Sequence, residues 1–316
     1  MTLTRTQVSA LLADHGLSPS RALGQNFVVD PNTVRRIARL AGVGPGDHVV
    51  EIGAGLGSLT LALAEAGADV TAVEIDRRLV PILRTVVEPS GVRVLEGDAL
   101  RLDWTGVLGH HPGPWVLVAN LPYNVATPLV LDLLDEVPEI SRMLVMVQRE
   151  VGERLAAAPG REAYGIPSVK VAYWATARVV GRVGPDVFVP RPRVESALVS
   201  IERRPAPATD APPARLFDLV RAGFGQRRKM LRRSLAGLVG PDGFAAAGIR
   251  PDARAEELAV QDWGRLASVG PPLPPQPAPQ PALPPQPASQ PAPAEGAARL
   301  PARSGRRGRT RPNRSR

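Results

Sequence analysis

The sequence predicts an α/β fold: a doubly wound, mostly parallel sheet with helices on both faces, then a small all-α domain and a low-complexity tail. Short apolar runs alternate with amphipathic segments of helical period between residues 48 and 148. A break rich in Pro and Ala at 204–214 precedes helical periodicity without strands. These observations predict a sheet domain over residues 1–204, a helical domain over 205–269 and a disordered tail over 270–316.

The elements of the sheet domain follow from apolar periodicity and turn residues. Residues 1–20 predict a short helix and connector, and Asp30 and Pro31 provide the N-cap and first turn of the next helix. The elements after it are a strand at 48–53, a helix at 58–67, a strand at 69–75, a helix at 77–87, strands at 92–98 and 115–120, a helix at 128–137 and a strand at 142–148. Residues 168–184 and 196–204 are expected to close the sheet as an antiparallel pair of edge strands.

The small helical domain is expected to contain two helices, and a low-complexity segment follows it. Residues 215–240 show an apolar face that is interrupted near residues 223–225, and residues 255–269 form the second helix. From residue 271 onward the chain has eight Arg and one acid, which account for +7 of the net charge of +9. The Arg-rich end is either a flexible RNA-binding extension or a solubilising tail.

Composition excludes several classes of function. The chain has no Cys, which rules out disulfides, thiolate metal sites and cysteine nucleophiles. Its four His show no metal-ligand spacing, and His110 and His111 are expected in an exposed loop, so no metal site is predicted. No apolar run is long enough to span a bilayer, and the first residues lack the apolar core of a signal peptide. A cytoplasmic location without a membrane partner is therefore expected.

Glycines and carboxylates stand at the ends of three successive predicted strands. The first strand runs into Gly53 and "GAGLG", which permits a tight turn and close approach of a ligand. Glu74 ends the second strand, 21 residues after Gly53, where a carboxylate can accept hydrogen bonds from two ribose hydroxyls. Asp98 ends the third strand and can accept from an adenine amino group. Because Ser58 replaces the last glycine of the dinucleotide fingerprint and no P-loop Lys follows, the pattern indicates an adenosine cofactor without phosphates, S-adenosyl-L-methionine.

The fourth strand ends in "NLPY", whose groups suit methyl transfer to an adenine. The 6-amino group of adenine is a poor nucleophile, because its lone pair is delocalised into the ring. The side-chain oxygen of Asn120 and the carbonyl of Leu121, restricted by Pro122, can accept its two N–H groups and direct the lone pair at the methyl group. Tyr123 offers a flat face to an extruded base. Catalysis then consists of positioning and electrostatics.

Eight ordered motifs lie between residues 23 and 235, within a resemblance to a known family that covers roughly residues 18–265. They are "LGQNFVVD", "EIGAGLG", "VEID", "GDA", "NLPYNVATPL", "QREVGERLAAAPGREAYGIPSV", "FVPRPRVESALV" and "FGQRRKMLRRSL". This set resembles the ribosomal RNA adenine dimethyltransferases, KsgA type. The resemblance implies a Rossmann-like class I methyltransferase sheet and S-adenosyl-L-methionine-dependent dimethylation of two adjacent adenosines near the 3′ end of 16S ribosomal RNA, during small-subunit biogenesis. It further implies an immature 30S particle as partner of a monomeric enzyme.

The resemblance also assigns roles where the motifs match. The implied cofactor-binding residues are Asn26, Val28 through its backbone, Gly53, Glu74, Asp98 and Asn120. The implied catalytic residues are Asn120, Leu121, Pro122, Tyr123 and Phe188, with Tyr123 and Phe188 on either side of the target base. The chain departs from the family pattern at Val28, where Leu is usual, at Arg233, where Asn is common, and before Phe188, where "VGPDVF" lacks the usual double proline.

One stretch of the helical domain is strongly basic. "GQRRKMLRRS" contains no interleaved acid, which favours contacts with phosphates over an ordinary solvated face. Its cations, which we predict to bind RNA, are Arg227, Arg228, Lys229, Arg232 and Arg233.

Three alternative interpretations remain open. A dimethyltransferase of the Erm type, acting on 23S ribosomal RNA, shares chemistry like that of "NLPY", but "REAYGIPSV" and "FGQRRK" argue against it. A non-catalytic RNA-binding module, such as the mitochondrial transcription factors that keep this fold, is disfavoured by intact Glu74, Asp98 and Asn120. An NAD-dependent dehydrogenase is disfavoured by the incomplete glycine fingerprint.

Overall fold

The computed structural model describes residues 2–111, 113–123 and 125–269. Its strands are β1 (Phe27–Val28), β2 (His48–Ile52), β3 (Asp69–Glu74), β4 (Arg93–Glu96), β5 (Trp115–Asn120), β6 (Ile140–Gln148), β7 (Ala175–Val183), β8 (Phe188–Val189) and β9 (Ser196–Arg203). Seven of them form a sheet in the order β4–β3–β2–β5–β6–β9–β7, while β1 pairs with β8. The first five strands in this order are parallel, and β9 is antiparallel to both of its neighbours. The predicted doubly wound, mostly parallel sheet is confirmed; the predicted tail lies outside the described residues.

The helices are α1 (Arg5–Asp14), α2 (Pro31–Ala41), α3 (Ser58–Glu65), α4 (Val80–Val87), α5 (Trp104–Leu108), α6 (Ala126–Glu136), α7 (Arg149–Leu155), α8 (Ile166–Trp174), α9 (Pro213–Gly225), α10 (Leu231–Ser234), α11 (Pro241–Ala247) and α12 (Val260–Ser268). The boundaries of α2 show how local sequence sets these limits. The Asp30 side chain accepts the N–H of Thr33 at 2.9 Å, and Pro31 stands in the first turn. Gly42, in the left-handed conformation, ends the helix.

The sheet is buried on both faces. Alternate residues of β5 point to opposite sides: Val116 and Val118 join the core beneath α2, α3 and α4, whereas Leu117 and Ala119 join the core beneath α6 and α8. All four are nearly inaccessible to solvent. Two covered faces leave the ends of the strands as the places where polar side chains can meet a ligand.

The prediction of a strand over residues 168–184 is wrong for its first half. Residues 166–174 form α8, and the strand β7 begins only at Ala175. Pro167 occupies the first turn of α8, and the Ser168 hydroxyl accepts the N–H of Gly165 at 3.1 Å. Val171 packs towards the sheet, and Tyr173 packs towards the C-terminal helices. Because the helix is covered on two sides, its sequence is apolar on both faces and lacks the alternation of apolar and polar residues that indicates a helix. Because β9 lies between β6 and β7, only β7 of the predicted pair is an edge strand.

Other boundaries also differ from the prediction. The short helices α5, α7 and α11 are not indicated by the sequence pattern. The interruption expected near residues 223–225 is present: α9 ends at Gly225, and the four-residue helix α10 follows it. Gly223 lies within α9, where the absence of a side chain allows close packing against α12. A Cβ atom there would lie 2.6 Å from the ring of Trp263, which is fully buried at the centre of the C-terminal helices.

The core of the C-terminal helices extends across the predicted domain boundary. Tyr164 is 1% exposed and donates from its hydroxyl to the carbonyl of Leu258 at 2.8 Å. It packs in the same cluster as Trp263, and the residues up to 269 belong to one compact unit. The division at residues 204 and 205 therefore stays a prediction. None of the helices in the described parts of the chain is long and apolar enough to cross a membrane.

Candidate active site

A cleft of about 700 Å³ opens at the carboxyl ends of β2, β3 and β5. Next to it lies a more apolar cavity of about 560 Å³ that includes the turn after β4. The two share four residues in their walls: Leu23, Gly53, Ile75 and Pro122. Parallel neighbouring strands end at the same edge of the sheet, and this brings the predicted residues of four strand ends together.

The turn after β2 contains three glycines, of which one has space beside it and two are tightly packed against neighbouring side chains. Gly53, Gly55 and Gly57 all have positive φ, between 62° and 89°. A Cβ atom on Gly53 would have 3.8 Å of clearance, but on Gly57 it would lie 2.5 Å from Val87 of α4. Gly55 lies against the ring of Phe27, and a Cβ atom added to Gly55 would lie 3.0 Å from that ring. Gly53 therefore faces the cleft, while Gly57 is required for packing.

Glu74 connects this turn to the end of β3. Its carboxylate is 4% exposed and accepts the N–H of Gly55 at 2.7 Å and the N–H of Asp76 at 2.8 Å. Burial raises the pKa of Glu74, and the backbone N–H groups oppose this rise. The carboxylate lines the cleft, so it is positioned for the predicted bonds to ribose hydroxyls while it also fixes the glycine turn.

Glu51 is a site residue that the sequence analysis missed. It lies in β2, is 2% exposed and lines the cleft. Within the described residues, its Oε2 atom has no hydrogen-bond partner. Burial raises the pKa of Glu51 to about 8, and the nearby carboxylate of Glu74 adds to the rise. An acid in the middle of the apolar "HVVEIG" was the available signal.

The cleft fits the cofactor that the sequence predicts. A buried carboxylate with an unpaired oxygen, such as Oε2 of Glu51, is stabilised by a cation, and S-adenosyl-L-methionine carries both an ammonium and a sulfonium group. Glu51 would bind the positively charged end, and Glu74 would bind the ribose. The adjoining cavity, with Ile75 and Leu100 in its apolar walls, would hold the adenine.

Asp98 stands at the rim of the second cavity. Its Oδ1 atom accepts the N–H of Leu100 at 3.0 Å, and its Oδ2 atom lies 3.7 Å from Nε of Arg101. The side chain remains 37% exposed and lines the cavity. Asp98 is therefore available as the predicted acceptor for an adenine amino group.

The segment around β1 covers one side of the cleft. Asn26 and Val28 line it, and β1 is held by antiparallel pairing with β8. Gln25 donates from Nε2 to Oδ2 of Asp76 at 2.9 Å. Arg78 donates two further side-chain hydrogen bonds to Asp76 and, with Gln25, lowers the pKa of that carboxyl to about 2. The covering segment is thus tied to the turn that follows β3.

Asn120 and Leu121 each present an acceptor that has no partner among the described residues. Asn120 donates from Nδ2 to the carbonyl of Asn26 at 3.0 Å, which leaves its Oδ1 atom as the acceptor on the other side of the amide. The N–H of Leu121 donates to the carbonyl of Met146 at 3.0 Å. Among the residues that the structure describes, neither Oδ1 of Asn120 nor the carbonyl of Leu121 accepts a hydrogen bond. Both residues line the cleft, as does Pro122.

The two predicted stacking residues have different surroundings. Tyr123 lines the cleft, its hydroxyl is hydrogen-bonded to that of Ser196 at 3.0 Å, and burial raises its pKa. Phe188 is 1% exposed, packs in the main core and lines neither the cleft nor the adjoining cavity. In this conformation Phe188 offers no free face to a base, so its stacking role stays a prediction that requires β8 to move.

The predicted RNA-binding cations divide into two groups. Arg227 forms an ion pair with Glu256 at 2.7 Å and donates to the carbonyl of Glu162 at 2.7 Å, so its guanidinium is held within the protein. The exposed cations that form no ion pair in the described part of the chain are Arg228, Lys229, Arg232 and Arg233. These four are better placed than Arg227 to contact a phosphate.

Known proteins with similar sequences are ribosomal RNA methyltransferases. A family model described as ribosomal RNA adenine dimethylase matches residues 17–269. Ribosomal RNA small subunit methyltransferase A of Thermobifida fusca is 49% identical over 276 residues, covering 84% of this chain and 95% of the relative. The protein of the same name from Kineococcus radiotolerans is 51% identical over 269 residues, covering 81% and 88%.

Solved structures support the fold. The 23S rRNA methyltransferase ErmE matches with a TM-score of 0.61 and 27% identity, covering 76% of this chain and 97% of that protein. A dimethyladenosine transferase from Plasmodium falciparum matches with a TM-score of 0.64 and 24% identity, covering 75% and 94%. Both matches cover about three quarters of this chain.

Proposed function

This chain belongs to the ribosomal RNA adenine dimethylase family, and we propose that it dimethylates the 6-amino groups of two adjacent adenosines near the 3′ end of 16S ribosomal RNA during small-subunit biogenesis. The methyl donor is S-adenosyl-L-methionine. Relatives named for the small subunit are 46–51% identical over 80–84% of this chain, whereas ErmE is 27% identical. The small subunit is therefore favoured over the Erm alternative.

The pair of acceptors at the end of β5, which have no partner in the described part of the chain, carries the proposal. When bound, the cofactor supplies a methyl group on a positively charged sulfur. Asn120 Oδ1 and the Leu121 carbonyl would accept the two N–H groups of the target adenine and keep the nitrogen lone pair out of conjugation with the ring. Fixed dipoles of this kind lower the barrier without reorganisation during the reaction. Tyr123, restrained by Ser196, would support the face of the base.

The pocket recognises one adenine, which cannot by itself select one adenosine in a ribosome. Selection must then come from the shape of the surrounding RNA. We expect a monomeric enzyme that prefers an immature 30S particle to deproteinised RNA, because the particle holds the target loop in place. Contacts by the exposed cations of the C-terminal helices would provide the affinity.

Parallel methylation of two substrates tests the proposed function. Immature 30S particles and naked 23S ribosomal RNA are incubated with labelled methyl donor, and the modified nucleosides are mapped. We expect dimethyladenosine at two adjacent positions near the 3′ end of 16S RNA. Dimethyladenosine in the 23S RNA alone would replace the proposal with the Erm alternative, and no modified adenosine in either would contradict both.

Cofactor affinity is expected to increase as the pH rises towards 8. In the free protein the pKa of Glu51 is raised to about 8, and a bound cation favours its charged form, so binding releases a proton. The stability of the folded chain without cofactor has the opposite dependence on pH, because the raised pKa of Glu51 favours its protonated form in the folded state. This contribution to the free energy of unfolding is complete below about pH 4.5 and is lost as the pH rises through about 8. Calorimetry in two buffers of different ionisation enthalpy measures the proton release.

The variant Glu51→Gln serves as the reference for this measurement, because it keeps the shape of the side chain and cannot ionise. We expect the wild-type chain to release more protons than this variant between pH 5 and 8, a window set by the ordinary glutamate pKa of 4.5 and the raised value of about 8. Equal release by the two proteins would show that Glu51 does not face the cofactor's positive charge.

Removal of one exposed cation is expected to reduce the salt dependence of RNA binding. In Arg232→Ala the slope of log affinity against log salt should fall by about 0.7–0.9, because one phosphate contact no longer releases a counterion. Arg39→Ala is the matched control, since Arg39 is an exposed arginine on α2, in a different part of the chain. Filter binding over a range of salt concentrations makes the comparison. Identical slopes for the two variants would remove Arg232 from the RNA-binding surface.

A further inference from the structure

Three side chains of types that can ligate a metal ion meet at the amino-terminal edge of the sheet, opposite the cleft. His48 begins β2, Asp69 begins β3, and His111 lies in the loop before β5. Their ligand atoms lie within 4.8 Å of one another. The spacing of these residues along the chain gave no sign of a metal site, because the cluster depends on the order in which the strands pair.

The distances from the carboxylate to the two imidazoles suit a tetrahedral ion. His48 Nδ1 and His111 Nε2 each lie 3.2 Å from the same oxygen, Oδ2 of Asp69. In a tetrahedral zinc site with bonds of about 2.0–2.1 Å, neighbouring ligand atoms are about 3.3 Å apart. Two imidazoles and a carboxylate are also the donor set that zinc and similar ions accept.

The fold holds the three side chains in place before any ion binds. His48 and Asp69 are directly opposite each other in the register of β2 and β3. The ring of His111 stacks on that of His48, with centroids 4.2 Å apart and planes 18° from parallel. Behind them lies the buried ring of Trp115, 5.4 Å from His48. Exposed fractions of 24–49% leave the cluster open to an ion and to a solvent ligand.

We propose that His48, Asp69 and His111 bind one divalent transition-metal ion, Zn²⁺ or an ion of similar preference, which clamps the loop before β5 to the starts of β2 and β3. The ion would have a structural role, since β2 separates it from the cleft by its whole length. The positive charge of Arg93, which lies 2.9 Å from Nδ1 of neighbouring His110, opposes ion binding. Asp69 supplies the compensating negative charge.

Calorimetric titration of the chelator-treated full chain with Zn²⁺ tests the proposal. We expect one ion per chain, and an affinity weakened by about 10-fold or more in His48→Ala, in His111→Ala and in Asp69→Asn. Asp69→Asn keeps the size of the side chain and so guards against a simple folding defect. His15→Ala is the matched control: His15 is an exposed histidine at the end of α1 and should leave binding unchanged.

A second measurement locates the ion independently of calorimetry. Bound Co²⁺ should quench the fluorescence of Trp115, the tryptophan beside the cluster, and Trp115→Phe should remove most of the quenching. Zn²⁺ should also raise the midpoint of thermal unfolding in the wild-type chain but not in His111→Ala. Failure to bind Zn²⁺ at millimolar concentration, or binding that persists in all three ligand variants, would overturn the proposal. Neither result bears on the proposed methyl transfer.

Discussion

Replacement of Asn120 by Ala is expected to lower kcat for methyl transfer by about 10²–10³-fold, with a much smaller change in KM for RNA. The range is that for loss of one preorganised polar group that acts mainly in the transition state. In the structure Nδ2 of Asn120 is bound to the carbonyl of Asn26, which orients the amide and leaves Oδ1 free. Alanine removes both that orientation and the acceptor.

Single-turnover kinetics with a 30S substrate separates this effect from altered binding or product release. Asn32→Ala is the matched control, because Asn32 is exposed on α2 and the same atoms are removed. Thermal unfolding of both variants shows whether each remains folded. A kcat of Asn120→Ala within a few-fold of the wild-type value would remove Asn120 from the mechanism.

Replacement of Glu74 by Ala is expected to weaken S-adenosyl-L-methionine binding by about 10- to 150-fold, the equivalent of 1.5–3 kcal/mol for a hydrogen bond to a charged group. It should also destabilise the chain by about 2 kcal/mol, because the N–H groups of Gly55 and Asp76 lose their acceptor in a buried site. The glycine turn would then lose its link to β3.

Calorimetry with the methyl donor, performed below the unfolding temperature of the variant, measures the first effect. Glu96→Ala is the matched control: Glu96 lies opposite Glu74 in the pairing of β3 with β4, but its side chain is exposed and pairs with Arg77. We expect Glu96→Ala to bind the cofactor as the wild-type chain does. Cofactor affinity in Glu74→Ala equal to that of the control would show that the ribose does not lie at the end of β3.

The edge of the sheet that carries the site was predictable, because each strand is a short apolar run whose end is visible in the sequence. The repeated alternation of strands and helices also indicates that the strands are parallel. Apolar runs identified β2, β3, β4 and β5, and their last residues included Glu74 and Asn120. Once the strands are parallel, these residues must share one edge. The same reasoning failed for α8, where an apolar run buried on two sides fits a strand and a helix equally well.

Residues whose surroundings depend on tertiary packing were harder to predict. Arg227 looks like its basic neighbours in sequence, and only the fold brings Glu256 to its side chain. Phe188 matches a motif, yet the structure packs its ring in the core. Glu51 was passed over although an acid within an apolar strand is visible in the sequence, because only the fold shows that its side chain is buried in the cleft, where burial raises its pKa to about 8.

The most direct test of the central claim is a structure of the enzyme with adenosine and S-adenosylhomocysteine, the product of the cofactor. The claim is that two acceptors at the end of β5 hold the adenine amino group for methyl transfer. We expect the 6-amino nitrogen within about 3.2 Å of both Oδ1 of Asn120 and the carbonyl oxygen of Leu121. An adenosine bound in the cleft with its amino group more than about 3.5 Å from both atoms would contradict the claim.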